Sequence, residues 1–232
     1  MGSKAMIYLL TLGILLVGTP LLLRAEDPWV KKARVESGKR MAILAQTPNT
    51  VANWPPRIGE LFPEISLVDH EGRSVDVESW RGKPTLIEVI AMTCAGCQAF
   101  AGGNKYGGFD GFPAQQGLDS IEQYYREYTS GHELFSDEIN FVQLIIYNQR
   151  LDAARPIDLA PWRKHFKLDQ AKNTQVLTGG EVLANKASFG MIPGFILLDN
   201  NLRVRFDATG HTPKHSLFTD LLPALNNILI TR

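Results

Sequence analysis

The sequence predicts an α/β fold, a central sheet flanked by helices, with an apolar N-terminal segment ahead of it. Three observations carry this. Two short apolar runs rich in branched residues, Thr85–Ala91 and Asn140–Tyr147, have the look of buried parallel strands. Helix-like stretches separate and follow them. A third apolar run, Phe195-Ile196-Leu197-Leu198, meets Asp199-Asn200-Asn201 and a returning segment Leu202–Phe206, which reads as a hairpin.

The remaining elements follow in chain order. Residues 5–23 are uncharged and mostly apolar after Lys4, long enough for a membrane-spanning anchor or a signal peptide. Leu23-Arg24-Ala25 is a poor cleavage site, which favours the anchor. Arg24, Lys31, Lys32 and Arg34 follow the segment and by charge alone would stay in the cytoplasm. The globular domain is nevertheless expected outside it. Residues 1–25 are thus the anchor or signal, and 26–57 a charged juxtamembrane helix and a linker marked by Pro48, Pro55 and Pro56. Residues 58–232 form the domain. Within it, Glu64–Val68 and Arg73–Val77 read as a strand pair around the turn Asp69-His70-Glu71-Gly72. A glycine-rich insertion spans about 101–117, with Tyr106, Phe109 and Phe112 among its glycines. It could be a flap over the substrate or a loop that packs its aromatics into the core. Helices are expected over Leu118–Tyr128, from Pro161 to Phe166, over Glu181–Phe189, and over Leu217–Ile230.

Composition narrows the function. The chain has 232 residues, 44% hydrophobic and 21% charged, an ordinary globular balance. Lys+Arg and Asp+Glu are both 24, so nothing in the overall charge points to nucleic acid. A monomer is expected. The chain has 2 cysteines, and they form Cys94-Ala95-Gly96-Cys97. A disulfide-stapled domain would have more, at wider spacing. A structural zinc site would need two further ligands, and His70, His132, His165, His211 and His215 are scattered. No metal and no cofactor beyond the redox-active Cys94–Cys97 pair is expected. If a helix starts at Cys94, its N-terminus favours the thiolate there, and Cys97 lies one turn on, able to close a disulfide.

The order of features, a strand hairpin, Gly82-Lys83-Pro84, an apolar strand, CxxC, then Gly190-Met191-Ile192-Pro193 before an apolar strand, resembles the thioredoxin-like superfamily over roughly residues 58–230. It is most similar to the TlpA-like exported thiol–disulfide oxidoreductases. The resemblance implies a central mixed sheet flanked by helices, and activity on protein thiols and disulfides in the periplasm or another extracytoplasmic space. It implies Cys94 as the attacking thiol and Cys97 as the resolving one. It implies a cis Ile192–Pro193 bond facing the pair, with Ile192, Pro193 and Thr93 at the substrate. Glu88 stands six positions before Cys94, where thioredoxins carry a buried proton-shuttling carboxylate; a strand-edge glutamate paired with a base is the other reading. The chain departs from the family pattern at Thr93, often Trp, and at Gly96, often Pro. These residues help set thiol acidity, so the direction of electron flow stays open. The alternative function is a copper-binding assembly factor of the Sco type on the same fold, since thiolates suit Cu(I), although that family resembles CxxxC plus a distant His. A peroxiredoxin is a poorer match, because Ala91 stands where that family carries Thr.

Overall fold

The computed structural model describes residues 51–230. The anchor or signal segment and most of the juxtamembrane region lie outside the described residues. Among those described, no helix is long and apolar enough to cross a membrane.

A small hairpin comes first, β1 (Leu67–Val68) against β2 (Ser74–Val75), antiparallel with Leu67 opposite Val75. Its strands are shorter than the sequence suggests. Asp69 gathers the turn by accepting the N–H groups of Glu71 and Arg73 at 2.8 and 3.0 Å. Asp76 then accepts from the Glu78 N–H and starts a 3₁₀ turn, Val77–Trp80, where the returning strand would have continued.

The main sheet holds β3 (Thr85–Ala91), β4 (Asn140–Tyr147), β5 (Thr174–Leu177), β6 (Gly194–Leu198) and β7 (Val204–Thr209), in the order β5-β4-β3-β6-β7. β3, β4 and β5 run parallel; β6 and β7 are antiparallel to their neighbours. The sheet is therefore mixed. Every residue of β3 is buried, as a central strand covered on both faces requires.

The helices are α1 (Ala95–Phe100), α2 (Gly103–Tyr106), α3 (Ile121–Tyr128), α4 (Pro156–His165), α5 (Lys186–Phe189) and α6 (Leu222–Ile230). α4 begins earlier than its expected start at Pro161. Pro156 occupies the first turn, where a missing N–H costs nothing, and Asp158 accepts the Arg155 N–H at 3.0 Å; Pro161 is carried inside the helix. The single helix expected over 181–189 is two pieces, a 3₁₀ turn Gly180–Val182 and α5, because the side-chain Oδ1 of Asn185 accepts the N–H groups of Ala187 and Ser188 and caps a new start. The last helix opens with a π turn, Leu217–Leu221, before α6.

Buried side chains form two clusters. One joins Leu86, Phe141 and Phe195 to Phe100, Tyr125 and Leu225. The larger gathers Ile87, Val142 and Ile196 with Trp80, Trp162 and Tyr147. It also takes in Trp54 from the stretch read as linker: Trp54 is 4% exposed, and its indole N–H donates to Ser188 Oγ at 2.8 Å. The packed domain thus begins upstream of residue 58.

Candidate active site

The parallel strands β3 and β4 end side by side, and the chain turns sharply after β3. Their register shifts between Ile90 and Ala91, so that Ala91 pairs with Tyr147. The Met92 N–H then donates to the Tyr147 carbonyl at 2.9 Å, and the Cys94 N–H to the Ala91 carbonyl at 3.0 Å. This turn places Cys94 as the N-cap of α1, with an extended backbone and its sulfur accepting the Cys97 N–H at 3.2 Å. Cys97 points inward. It is fully buried, with Sγ 4.0 Å from the Val89 carbonyl oxygen. Neither cysteine is in a disulfide.

The two thiols are chemically unequal. The Cys94 thiol is brought down to about 7, first by the hydrogen bond from the Cys97 thiol, then by the backbone N–H groups of Cys97 and Gly96, against the opposing effect of partial burial. Burial pushes the Cys97 thiol well up, and its hydrogen bond to Cys94 pushes it further. Near neutral pH the outer sulfur is substantially thiolate and the inner one a thiol, the division of labour that disulfide exchange needs.

Glu88 is fully buried in the middle of β3. It is no strand-edge residue: Gln143 of β4 and Phe195 of β6 stand directly opposite it on either side. Burial raises its carboxyl to about 8, although the amide of Gln143, donating to Oε2 at 2.9 Å, pulls the other way. Gln143 in turn accepts the Trp162 indole N–H at 2.8 Å. Glu88 Oε1 makes no hydrogen bond among the described residues. The charges of Glu88 and the cysteines act on one another: ionised Glu88 raises Cys97, and the Cys94 thiolate raises Glu88.

On the other flank, the Ile192–Pro193 bond is cis. Pro193 lies against the cysteine turn: a Cβ placed on Gly96 would come 3.3 Å from Pro193 Cγ. The next residue, Gly194, packs so closely on β7 that a Cβ there would collide with the backbone of Thr209. The sheet order, the CxxC turn at the end of its central strand and a cis-proline against that turn now stand together. The fold is thioredoxin-like.

Within this thioredoxin-like frame, Thr93 is partly buried in the turn before Cys94. Ile192, expected at the substrate, is 7% exposed with its side chain in the larger core cluster. Among the described residues no group of three or more His, Cys, Asp or Glu side chains comes together as a metal site would require. No protein-family model and no curated protein matches the chain. Among solved structures it is similar to a thiol peroxidase from Chromobacterium violaceum (16% identity, 80% of this chain and 91% of that one, TM-score 0.46). It is similar to the thioredoxin domain of a thiol–disulfide oxidoreductase from Bacteroides vulgatus (15%, 71% and 95%, TM-score 0.41). It is also similar to a secreted disulfide oxidoreductase of Mycobacterium tuberculosis (13%, 72% and 96%, TM-score 0.41). These likenesses are distant, and the reading of the site rests on its own geometry.

Two residues of the site escaped the sequence. Gln143 sits in an apolar strand and shows its role only once β3 and β4 are aligned. Gln98, the residue after the second cysteine, is fully buried. Its amide donates to the Met92 carbonyl at 2.5 Å and to the Phe109 carbonyl at 3.4 Å, and its oxygen accepts the Phe109 N–H at 2.7 Å. It ties the glycine-rich insertion to the active-site helix. Phe109 is buried and meets the Trp162 ring edge-on at 5.4 Å, while His165 Nε2 bonds the Gly107 carbonyl at 2.8 Å. Of the two readings of the insertion, the packed loop describes this part of it.

Proposed function

We propose that this chain is a thiol–disulfide oxidoreductase acting on protein thiols and disulfides outside the cytoplasm, held or exported through residues 5–23. The observation that carries the reading is the unequal pair, a half-buried acidic thiol at Cys94 hydrogen-bonded to a fully buried, weakly acidic one at Cys97.

In the reducing direction the Cys94 thiolate attacks one sulfur of a substrate disulfide. A Cys94–substrate S–S bond forms, the substrate S–S bond breaks, and one substrate sulfur leaves as thiolate. Cys97 then loses its proton to ionised Glu88, directly or through a water, and attacks Cys94 Sγ. The mixed disulfide breaks, the second substrate thiolate leaves, and Cys94–Cys97 closes. Two electrons pass to the substrate, and Glu88 holds the proton. The oxidising direction is the reverse sequence, and the potential of the partner sets which one runs.

The full chain equilibrated in glutathione buffers of graded ratio, then alkylated and weighed, tests this. One two-electron transition between the dithiol and the Cys94–Cys97 disulfide is expected. A pair that stays reduced at every ratio overturns the reading. Compartment is tested separately: alkaline phosphatase fused to the C-terminus of the full chain should be active, since that reporter needs export. An inactive fusion with protein present places the domain in the cytoplasm, as the charges after residue 23 would.

A further inference from the structure

The glycine-rich insertion does not end at its anchor on Gln98. Its returning strand of chain comes back to the cysteine turn itself. The Gln115 N–H donates to the carbonyl of Ala95, the residue after Cys94, at 2.8 Å. The Gln115 carbonyl accepts from the Asn104 side-chain amide at 2.9 Å, and the same amide holds the Leu118 carbonyl at 2.6 Å. Gln115 is therefore fixed at both of its backbone polar groups, one on the active-site turn and one on α2.

Its side chain is exposed and makes no hydrogen bond among the described residues. The point where a Cβ on Gly96 would sit is 3.6 Å from Gln115 Oε1 and 3.3 Å from Pro193 Cγ. The amide and the proline thus flank Gly96 together, between the two cysteines of the pair. A primary amide carries both a donor and an acceptor in one plane, which matches the N–H and C=O that an extended peptide presents.

We infer that Gln115 is a substrate-binding residue, its side-chain amide pairing with the backbone of an extended peptide whose cysteine is joined to Cys94, and that Asn104 is the positioning residue that holds it there. The inference rests on the oxidoreductase reading above and adds to it a residue that would recognise the peptide backbone of the substrate. The insertion then forms a wall of the thiol groove, opposite in role to Pro193. Gly96 suits this arrangement, since a Cβ at that position would press on Pro193 Cγ at 3.3 Å and reach contact distance of the amide at 3.6 Å.

The test compares two disulfides in reaction with the reduced full chain: a short peptide containing one disulfide, and hydroxyethyl disulfide, which has no peptide groups. For Gln115→Ala, kcat/KM on the peptide should fall about 3- to 10-fold, the loss of one neutral hydrogen bond or two weak ones. The rate on hydroxyethyl disulfide and the pH profile of Cys94 alkylation should stay as in wild type. Asn104→Ala should shift the same way, through KM more than kcat, and Gln115→Asn should recover part of the loss. Unchanged peptide kinetics in Gln115→Ala would overturn the inference. An equal fall on both disulfides would overturn it too, because the side chain would then act on the thiol and not on the peptide. A wild type inert toward both disulfides overturns the oxidoreductase reading, and the inference with it.

Discussion

Glu88 and Gln143 stand opposite each other in the parallel pairing of β3 and β4, and the Gln143 amide donates to the buried Glu88 carboxylate at 2.9 Å. The contact is the one hydrogen bond that favours the ionised carboxyl against the burial that opposes it. It makes the acidity of Glu88 depend on a residue of the neighbouring strand.

Gln143→Leu should therefore raise the Glu88 carboxyl above about 8. If Glu88 takes the proton from Cys97, the pH midpoint for resolving the mixed disulfide moves up with it, and the step slows at neutral pH. Stopped-flow resolution of a preformed mixed disulfide across pH reads this. A midpoint that stays put or moves down removes Glu88 from the proton path. The same variant leaves the buried Trp162 N–H without its acceptor, at a cost of about 1–3 kcal/mol in stability.

Glu88→Gln should slow resolution on the order of 100-fold and make the reduced protein more stable at high pH. The native state favours the protonated carboxyl, because its pKa is raised to about 8. Below the ordinary carboxyl range both states are protonated and wild type carries no deficit. As pH rises past that range the unfolded chain ionises and the folded one resists, so the deficit grows, then levels off above about 8. Its ceiling is on the order of 5 kcal/mol. Urea unfolding of both proteins across pH should show the gap opening with rising pH. A gap that is constant from acid to base would mean that the carboxyl ionises as easily inside the fold as outside it.

The thiol pair gives a third expectation. Cys97→Ser should accumulate mixed disulfides with substrate, whereas Cys94→Ser should not. Cys97→Ala should also make Cys94 less acid, raising it from about 7, because the Cys97 thiol is the main cause of the lowering while the backbone N–H groups remain. The rate of alkylation against pH gives the midpoint directly. A Cys94 midpoint unaltered by Cys97→Ala would assign the acidity to the turn backbone alone.

Gly194→Ala should destabilise the protein and detach the proline from the cysteines in one step. The added methyl meets the Thr209 backbone and the Met191 carbonyl, so β6 and β7 must part or the 191–193 loop must move. Overpacking of this kind costs about 1–3 kcal/mol. Peptide disulfide exchange should fall more than alkylation of Cys94. Wild-type stability and wild-type exchange together would show that the strand pair has room to spare.

Much of this was legible beforehand, for local reasons. β3 announces itself by seven consecutive residues of strand-like composition, and Cys94 and Cys97 by their spacing; the burial of Glu88 follows from the apolar run around it. The expected mixed sheet flanked by helices and the cis-proline beside the cysteines match the structure, while the expected N-terminal segment lies outside the described residues. What stayed hidden depends on distance along the chain. Trp54 meets Ser188 across a separation of 134 residues, and Gln143 meets Glu88 across 55. No pattern within either segment marks these partners. Helix starts were misplaced where side-chain caps compete with propensity, as Asn185 does at α5. The glycines of the insertion leave a flap and a packed loop both open in sequence, and the contacts of Gln98 with Phe109 decide for packing there.

Gln98 also gives the insertion a signature that can be read in other chains. If a related sequence lost residues 101–117, a glutamine left at this buried position would keep Met92 but lose both backbone groups of Phe109. An orphaned buried amide oxygen costs about 1–3 kcal/mol, and a single change to an apolar residue relieves it. The loop and the glutamine should therefore be inherited as a unit. The residue directly after the second cysteine then tells, from sequence alone, whether a relative carries this wall beside its thiols.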